Sequence, residues 1–267
     1  MQPRNETEFE WIAKSRQPSM GREDRNWTGN FVSNLMPATF KAYSKILHRI
    51  DGWYENIDNP LSPREVSFLK IPACEKLKKF VQDRRNLQQS RIRWKELAEL
   101  LNVPFAPEIN DGWYRTKLEE GCWPRFLHGP NEGALEEEEY LELARVLRVF
   151  TESAECFFRF ADIPFIGEDR PLLFKGGLEE IASFLKTGAF QFSPEYWWPP
   201  EHDWCVCTEY DLAFTVVGGP VRLISALLEN PVLECLEVTA QARIDSFAPI
   251  PRTAHLPDAN PNNFEVD

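Results

Sequence analysis

The stretch WCVCTEYDLAFTVVGGPVRLISALL, residues 204–228, decides the fold, because it changes from strand-like to helix-like patterning within 25 positions. Residues 204–208 and 212–217 are apolar runs of strand length, separated by polar residues typical of a turn. Residues 220–228 have the apolar spacing of an amphipathic helix that follows the Gly-Gly pair. Residues 233–238 predict one further strand. This order of elements indicates an α+β domain.

A second segment, LLFKGGLEEIASFL at residues 172–185, repeats the order of apolar run, Gly-Gly pair and amphipathic stretch. Gly176 and Gly177 in this segment match Gly218 and Gly219 in the first. We interpret both pairs as strand-to-helix corners that require a positive φ, which glycine adopts at little cost. Neither pair has the glycine spacing of a Walker loop or of a dinucleotide fingerprint, so no nucleotide site is predicted.

The N-terminal half shows helical periodicity. In PATFKAYSKILHRI, residues 37–50, and again at residues 94–101, apolar side chains recur every three or four positions. The acidic run at residues 136–139 precedes a third such stripe, and we interpret it as favourable charge at a helix start. The predicted fold class is therefore α+β: a helical N-terminal half, then a mixed or antiparallel sheet with two packed helices in the C-terminal half.

The domain organisation follows from polarity and proline content. Residues 1–30 are polar and are expected to be flexible, and residues 31–247 are expected to form a single α+β domain. Residues 52–89 read as a helical insertion within that domain. Residues 248–267 form a proline-rich C-terminal tail.

Charge and composition exclude several classes of function. The formal net charge is -12 and the pI is near 5.0, which argues against nucleic-acid binding because phosphate contacts need clustered basic residues. The basic residues at 64–95 are interpreted as a solvated helix face that also lies against the acidic second half. No apolar run is long enough to cross a membrane, and no secretory signal is evident, so a cytoplasmic protein is expected.

The segment around residue 204 also holds the candidate site. On a regular strand, Glu209 and Asp211 share a face, and two neighbouring carboxyls can perform general acid-base catalysis if burial raises one pKa. His128, in an ordered-looking loop, is the third catalytic candidate. The ligand-binding candidates are three tryptophans, whose flat rings are expected to form a cleft wall, and one adjacent carboxylate: Trp197, Trp198, Asp203 and Trp204.

Cys205 and Cys207 place two thiols side by side, as a metal site requires. A closed zinc site needs a second pair of ligands, and the other four cysteines are scattered singly. No metal and no cofactor are therefore predicted, and the cysteines are expected to be buried and reduced.

Five ordered blocks carry a resemblance to a known family: ATFKAYSKILHRI, RIRWKELAELL, WPRFLHGPNEGAL, WWPPEHDWCVCTEYDLAFTVVGG and LISALLENPVLECLEV. Together they resemble a family of bacterial proteins that has no established activity. The resemblance implies one continuous domain and a bacterial cytoplasmic protein, with residues 52–89 inserted. It implies no catalytic residue.

The chain contains no complete catalytic constellation, and its acidic half is rich in aromatic residues of the kind that anchor protein interfaces. We therefore expect an accessory or protein-interaction module with a protein partner, immunity-like or antitoxin-like by analogy. The alternative is a small-molecule-binding protein or hydrolase that uses carboxylates in a tryptophan-walled cleft.

Overall fold

A computed structural model describes residues 2–19, 25, 27–57, 72–86, 90–118, 123–153, 155–160, 171–181, 193–246 and 248–251. The strands are β1 (Gln2–Arg4), β2 (Ala42–Leu47), β3 (Ile50–Gly52), β4 (Arg91–Ile92), β5 (Leu127–His128), β6 (Cys156–Phe160), β7 (Leu172–Gly176), β8 (Tyr196–Trp198), β9 (Cys205–Cys207), β10 (Phe214–Gly219) and β11 (Cys235–Val238).

The helices lie between these strands and at the N-terminus. They are α1 (Glu10–Ser15), α2 (Val32–Leu35), α3 (Pro72–Asn86), α4 (Trp94–Leu101), α5 (Asp111–Arg115), α6 (Glu137–Val149) and α7 (Val221–Leu228), with 3-10 turns at Glu6–Phe9, Tyr54–Asn56 and Leu178–Glu180. Among the described residues, no helix combines the length and the apolar character that a membrane crossing requires.

An eight-stranded sheet dominates the described structure. Its strand order is β1-β7-β6-β8-β9-β10-β2-β11, and every neighbouring pair is antiparallel. A second sheet has three strands in the order β4-β3-β5. The polar turn between β9 and β10 therefore lies at one end of two central strands.

The prediction of a helical N-terminal half is wrong. The segment assigned to a helix contains β2, which pairs with β10 on one side and β11 on the other. Residues 43–47 are all buried, because both faces of this central strand are covered. A strand buried on both faces has no regular polar positions, so its apolar residues also match a helical spacing. The three strands of the smaller sheet likewise come from the N-terminal half.

Each face of the large sheet is covered by a separate core. One face packs Cys205, Cys207 and Phe214 against the N-terminal segment and helices α3 to α5. The other packs Val206 and Val217 against α6 and α7. The predicted alternation of β9 is confirmed: its two cysteines lie in the first core and Val206 in the second.

The described part of residues 1–30, expected to be flexible, contributes to this structure. β1 pairs with β7, and Phe9 and Ile12 are buried in the first core. The expected helical insertion, residues 52–89, contains α3 and only the last residue of β3, although residues 58–71 and 87–89 lie outside the described residues. Of the expected C-terminal tail, residues 252–267 lie outside them, as do residues 182–185 of the helix predicted from Gly177 to Leu185.

The Gly-Gly pairs do not serve the purpose predicted from sequence. Gly177 has an extended backbone with φ -72, and the described glycines with positive φ are Gly29 and Gly133. Gly218 is instead required for packing. A Cβ atom there would lie 2.5 Å from the Phe40 ring and 3.0 Å from the sulfur of Met36. The glycine thus lets the N-terminal segment approach the sheet closely.

Gly218→Ala is therefore expected to lower the free energy of unfolding by about 1–3 kcal/mol, because the added methyl overpacks this contact. Gly177→Ala is the matched control, since the nearest atoms to a Cβ there all belong to the end of the exposed, flexible Glu179 side chain. Urea denaturation of both variants measures the difference. Equal losses in the two variants would contradict the packing argument.

Candidate functional site

The turn between β9 and β10 places Glu209 and Asp211 at the mouth of a cleft. The backbone N–H of Asp211 donates to the Glu209 carboxylate over 2.9 Å, and the Leu212 N–H donates to the Glu209 carbonyl over 3.1 Å. These two bonds close the turn. Glu209 is half-buried, whereas Asp211 and the intervening Tyr210 are exposed. The two predicted carboxyls therefore do open onto a concave surface.

The cleft has a volume of about 560 Å³. It is formed by α2, α5, the β9–β10 turn and loops before β8 and after β11. Six carboxylates and two arginines line it, so its charge is strongly negative: Asp111, Glu132, Glu195, Glu209, Asp211 and Asp245, with Arg16 and Arg115.

Half of these carboxylates are neutralised within the protein. Asp111 pairs with Arg115 at 2.9 Å, Glu195 pairs with Arg159, and Asp245 pairs with Arg243 at 2.8 Å. The other three carboxylates make no ion pair with the described part of the chain: Glu132, Glu209 and Asp211.

Crowding of like charge makes Glu209 unusual. Burial raises its pKa to about 7, and the neighbouring carboxylates of Asp211, Glu195 and Glu132 add to the effect, against the hydrogen bond from the Asp211 backbone. Burial and Asp111 also raise the pKa of Glu132, while Arg115 lowers it. The cleft therefore resists further negative charge and would be stabilised by a cation.

Two buried amide oxygens in the cleft also lack hydrogen-bond donors among the described residues. Asn110 lines the cleft and is only 4% exposed, and its Oδ1 has no hydrogen-bond donor among the described residues. Its Nδ2 donates to the Glu108 carbonyl over 3.2 Å, which fixes the amide orientation. The Oδ1 of Asn30, a second lining residue, is likewise buried without a donor there. Buried acceptors without donors are costly, and a ligand rich in N–H groups would satisfy them.

Comparison with known proteins identifies no relative. No protein-family model, curated protein or solved structure matches this chain.

A buried histidine, which sequence reasoning did not select, holds one wall of the cleft. The Nδ1 of His48 lies 2.5 Å from the Asn131 carbonyl, and its Nε2 lies 3.0 Å from the Thr215 hydroxyl. That hydroxyl is 2.8 Å from the hydroxyl of Thr208. Burial lowers the pKa of His48 to about 4, so a neutral ring donates from Nδ1 and accepts at Nε2. The chain of bonds links the loop bearing Glu132 to Thr208, the residue preceding Glu209.

The tryptophans predicted to line the cleft are not on its surface. Trp197, Trp198 and Trp204 are each 0% exposed and lie inside the two cores of the large sheet. Asp203 is exposed in the β8–β9 loop and is not part of the cleft lining. The indoles are too large and apolar to remain in water when a sheet face is available, so they pack as core residues.

His128 also lies elsewhere. It is exposed in β5, with its ring 6.4 Å from that of Trp53, and it does not line the cleft. Cys205 and Cys207 are fully buried, and burial raises the pKa of both thiols. Within the described residues, no group of three or more His, Cys, Asp or Glu side chains has the arrangement needed to hold a metal ion.

Proposed function

We propose that this protein is an accessory binding protein whose acidic cleft receives basic side chains of a protein partner. The observation that carries the proposal is the convergence of Glu209, Asp211 and Glu132, three carboxylates without an ion pair to the described residues, in one cleft of about 560 Å³. Arginine and lysine side chains supply both the missing charge and the N–H donors.

Arginine fits the chemistry of the cleft particularly well. Its guanidinium presents five donors in a plane, and the cleft offers carboxylates together with the amide oxygens of Asn110 and Asn30. Tyr210 stands at the rim between Glu209 and Asp211 with 58% of its surface exposed. An aromatic face beside carboxylates is a suitable platform for a cationic side chain.

The proposed contact surface differs from the aromatic patch that protein interfaces usually present. In the described part of the chain, the exposed large aromatics are Trp53 and Tyr210, which lie near different sheets. Charge complementarity, rather than a broad apolar surface, is therefore the basis of the proposed contact, and it steers association as well as holding the complex.

A binding experiment with a hexa-arginine peptide tests the proposal. The double variant Glu209→Gln, Asp211→Asn is expected to raise the Kd at least about tenfold, equivalent to about 1.4 kcal/mol. Wild-type binding is expected to weaken with salt and to tighten as the pH rises through about 7, because the cation favours ionised Glu209. Isothermal titration calorimetry measures both effects.

The double variant Glu201→Gln, Asp203→Asn is the matched control. It removes the same number of charges from an exposed loop outside the cleft. If it weakens binding as much as the cleft variant, a general effect of net charge explains the result and the proposal fails. Binding of spermine in preference to the peptide would favour a small cationic ligand instead.

A hydrolase is the second candidate, and the raised pKa of Glu209 is the observation that favours it. A carboxyl that titrates near 7 beside the exposed carboxylate of Asp211 has the form of a general acid paired with a base. Turnover of aryl glycosides or aryl esters, abolished by Glu209→Gln and retained in the Glu201→Gln, Asp203→Asn control, would support this function. An absence of turnover in wild type would exclude these substrates.

A further inference from the structure

A second pocket, of opposite charge, lies away from the acidic cleft. Its volume is about 370 Å³, and its described lining is four arginines, one carboxylate and one hydroxyl: Arg49, Arg84, Arg91, Arg93, Glu96 and Ser90. We call it the arginine pocket. None of its lining residues belongs to the acidic cleft.

The fold assembles this pocket from separate elements. Arg84 comes from the end of α3, Arg91 from β4, Arg93 from the residue preceding α4, and Arg49 from the β2–β3 connection. Three of them belong to the basic segment at residues 64–95, for which the sequence predicts a solvated helix face. The structure instead turns these guanidinium groups toward one depression, where all four are half-buried.

Two of the guanidinium groups are held by ion pairs with carboxylates that do not line the pocket. Arg49 donates from Nε to Asp51 over 2.7 Å and from Nη1 to Glu138 over 2.8 Å. Arg91 donates from Nη2 to the buried Glu139 over 2.7 Å. Such contacts orient an arginine and reduce the entropy lost when it binds a ligand.

The other two arginines are held in part by backbone carbonyls. Arg84 donates to the Arg91 carbonyl over 2.7 Å and pairs with Glu96, but its buried Nε has no partner among the described residues. Arg93 is held by the carbonyls of Pro231 and Val232 and forms no ion pair with a described carboxylate.

We propose that the arginine pocket binds a phosphate monoester group. Planar guanidinium groups recognise phosphate oxygens through paired N–H donors, and guanidinium groups that converge from several elements bind different oxygens of one phosphate. The hydroxyl of Ser90, 3.3 Å from Nη2 of Arg49, lies within the same lining. Burial lowers the pKa of Arg91; Glu139 and Glu234 oppose this change, while Arg93 and Arg49 lower the pKa further.

The surrounding carboxylates set the expected selectivity. Glu96 lines the pocket. Asp51 and Glu138 form ion pairs with Arg49, and Glu139 forms one with Arg91. Because these acids already neutralise much of the arginines' positive charge, a singly charged anion gains little binding free energy. A dianion with several acceptor oxygens gains more, so phosphate is expected to bind more tightly than chloride at equal ionic strength.

Titration of the full chain with inorganic phosphate, at constant ionic strength and about pH 8, tests the proposal. We expect saturable binding with a Kd of about 1 mM or tighter, measured by calorimetry and by the thermal midpoint. Arg93→Gln is expected to weaken binding at least tenfold, and Arg93→Lys to weaken it less, because the point charge remains while the paired donors are lost.

Arg145→Gln is the matched control, since Arg145 is an exposed arginine on α6 outside the pocket. It is expected to bind phosphate as wild type does. Titration with O-phosphoserine distinguishes the source: tighter binding than inorganic phosphate indicates a phosphorylated side chain, and equal binding indicates free phosphate. No saturable binding in wild type, or equal binding in Arg93→Gln and wild type, would overturn the proposal. Failure here leaves the proposal for the acidic cleft untouched, because the probes and variants are different.

Discussion

Replacing Arg91 with methionine is expected to lower the free energy of unfolding by about 3–5 kcal/mol at about pH 8, because it leaves a carboxylate buried without its partner. Glu139 is 0% exposed, and its Oε1 accepts from Arg91 Nη2 over 2.7 Å. Its Oε2 has no partner among the described residues. The ion pair joins β4 to α6, so its loss also loosens the smaller sheet from the helix.

The size of this effect should depend on pH in a defined direction. Burial raises the pKa of Glu139 to about 7, although Arg91 and Arg49 lower it. The folded protein therefore binds more protons than the unfolded chain between the ordinary pKa and about 7, and stability falls as the pH rises through that window. Without Arg91 the pKa rises further, so the window extends upward. The loss in the variant is expected to be smaller at about pH 5 than at about pH 8.

The double variant Arg91→Met, Glu139→Leu separates the buried charge from general damage to packing. It is expected to recover most of the lost stability, since apolar residues often replace a buried ion pair without cost. Arg145→Met, which breaks an exposed pair on the same helix, is expected to change stability little. Chemical denaturation of the four proteins at both pH values completes the test. A double variant as unstable as the single one would show that Glu139 is not the source of the loss.

Glu139 also shows the limit of what sequence could predict. The acidic run at residues 136–139 was interpreted as charge at a helix start, and α6 does begin at Glu137. The predicted apolar stripe of this helix is buried, because one solvated face and one packed face give an unambiguous local pattern. The partner of Glu139 lies 48 positions away in β4. No local pattern reveals such a pairing.

The type of an element was predictable from sequence where one of its faces is exposed to solvent and the other is buried. The stripe of α4 is buried as its spacing predicts. β2 is covered on both faces and even carries the polar residues Ser44 and Lys45 inward, so neither alternation nor composition marked it as a strand. Its neighbours β10 and β11 supply the hydrogen bonds that decide its conformation, and they lie more than 160 positions away.

The candidate site was predictable only in part, for the same reason. Glu209 and Asp211 are two positions apart, so their proximity follows from any turn. Asp111, Glu132 and Glu195 reach the same cleft from distant loops and helices, which only the tertiary structure brings together. The tryptophans were misassigned because composition cannot show whether an indole near a polar loop faces the core or the solvent.

Lys45 is the second buried ionisable residue expected to have a large effect on the free energy of unfolding. It is 1% exposed on the central strand β2, and its ammonium donates to the carbonyls of Pro107, over 3.2 Å, and Ile109. The ammonium lies 4.1 Å from the centre of the Phe214 ring, which lines the acidic cleft. It makes no ion pair with a carboxylate of the described chain. Burial lowers its pKa to about 7, against the opposing influence of Glu108 and Asp111.

This shift gives the sign of a stability change. Between about pH 7 and pH 10 the unfolded chain keeps the lysine proton while the folded protein releases it, so this residue makes stability rise with pH. Lys45→Met removes that contribution. The difference in free energy of unfolding, wild type minus variant, is expected to increase by roughly 4 kcal/mol across the window.

Only this difference is diagnostic, because other groups titrate in the same range. Burial raises the pKa of Cys156 and Cys235 to about 12, and these thiols lower the stability of both proteins equally as the pH rises. Lys41→Met, at an exposed position one residue before β2, is the matched control and should show no such increase. If Lys45→Met and wild type instead keep a constant difference from about pH 7 to pH 10, the ammonium is held charged by the two carbonyls and the aromatic ring. The acidic cleft above it would then have a permanent cation beneath its floor.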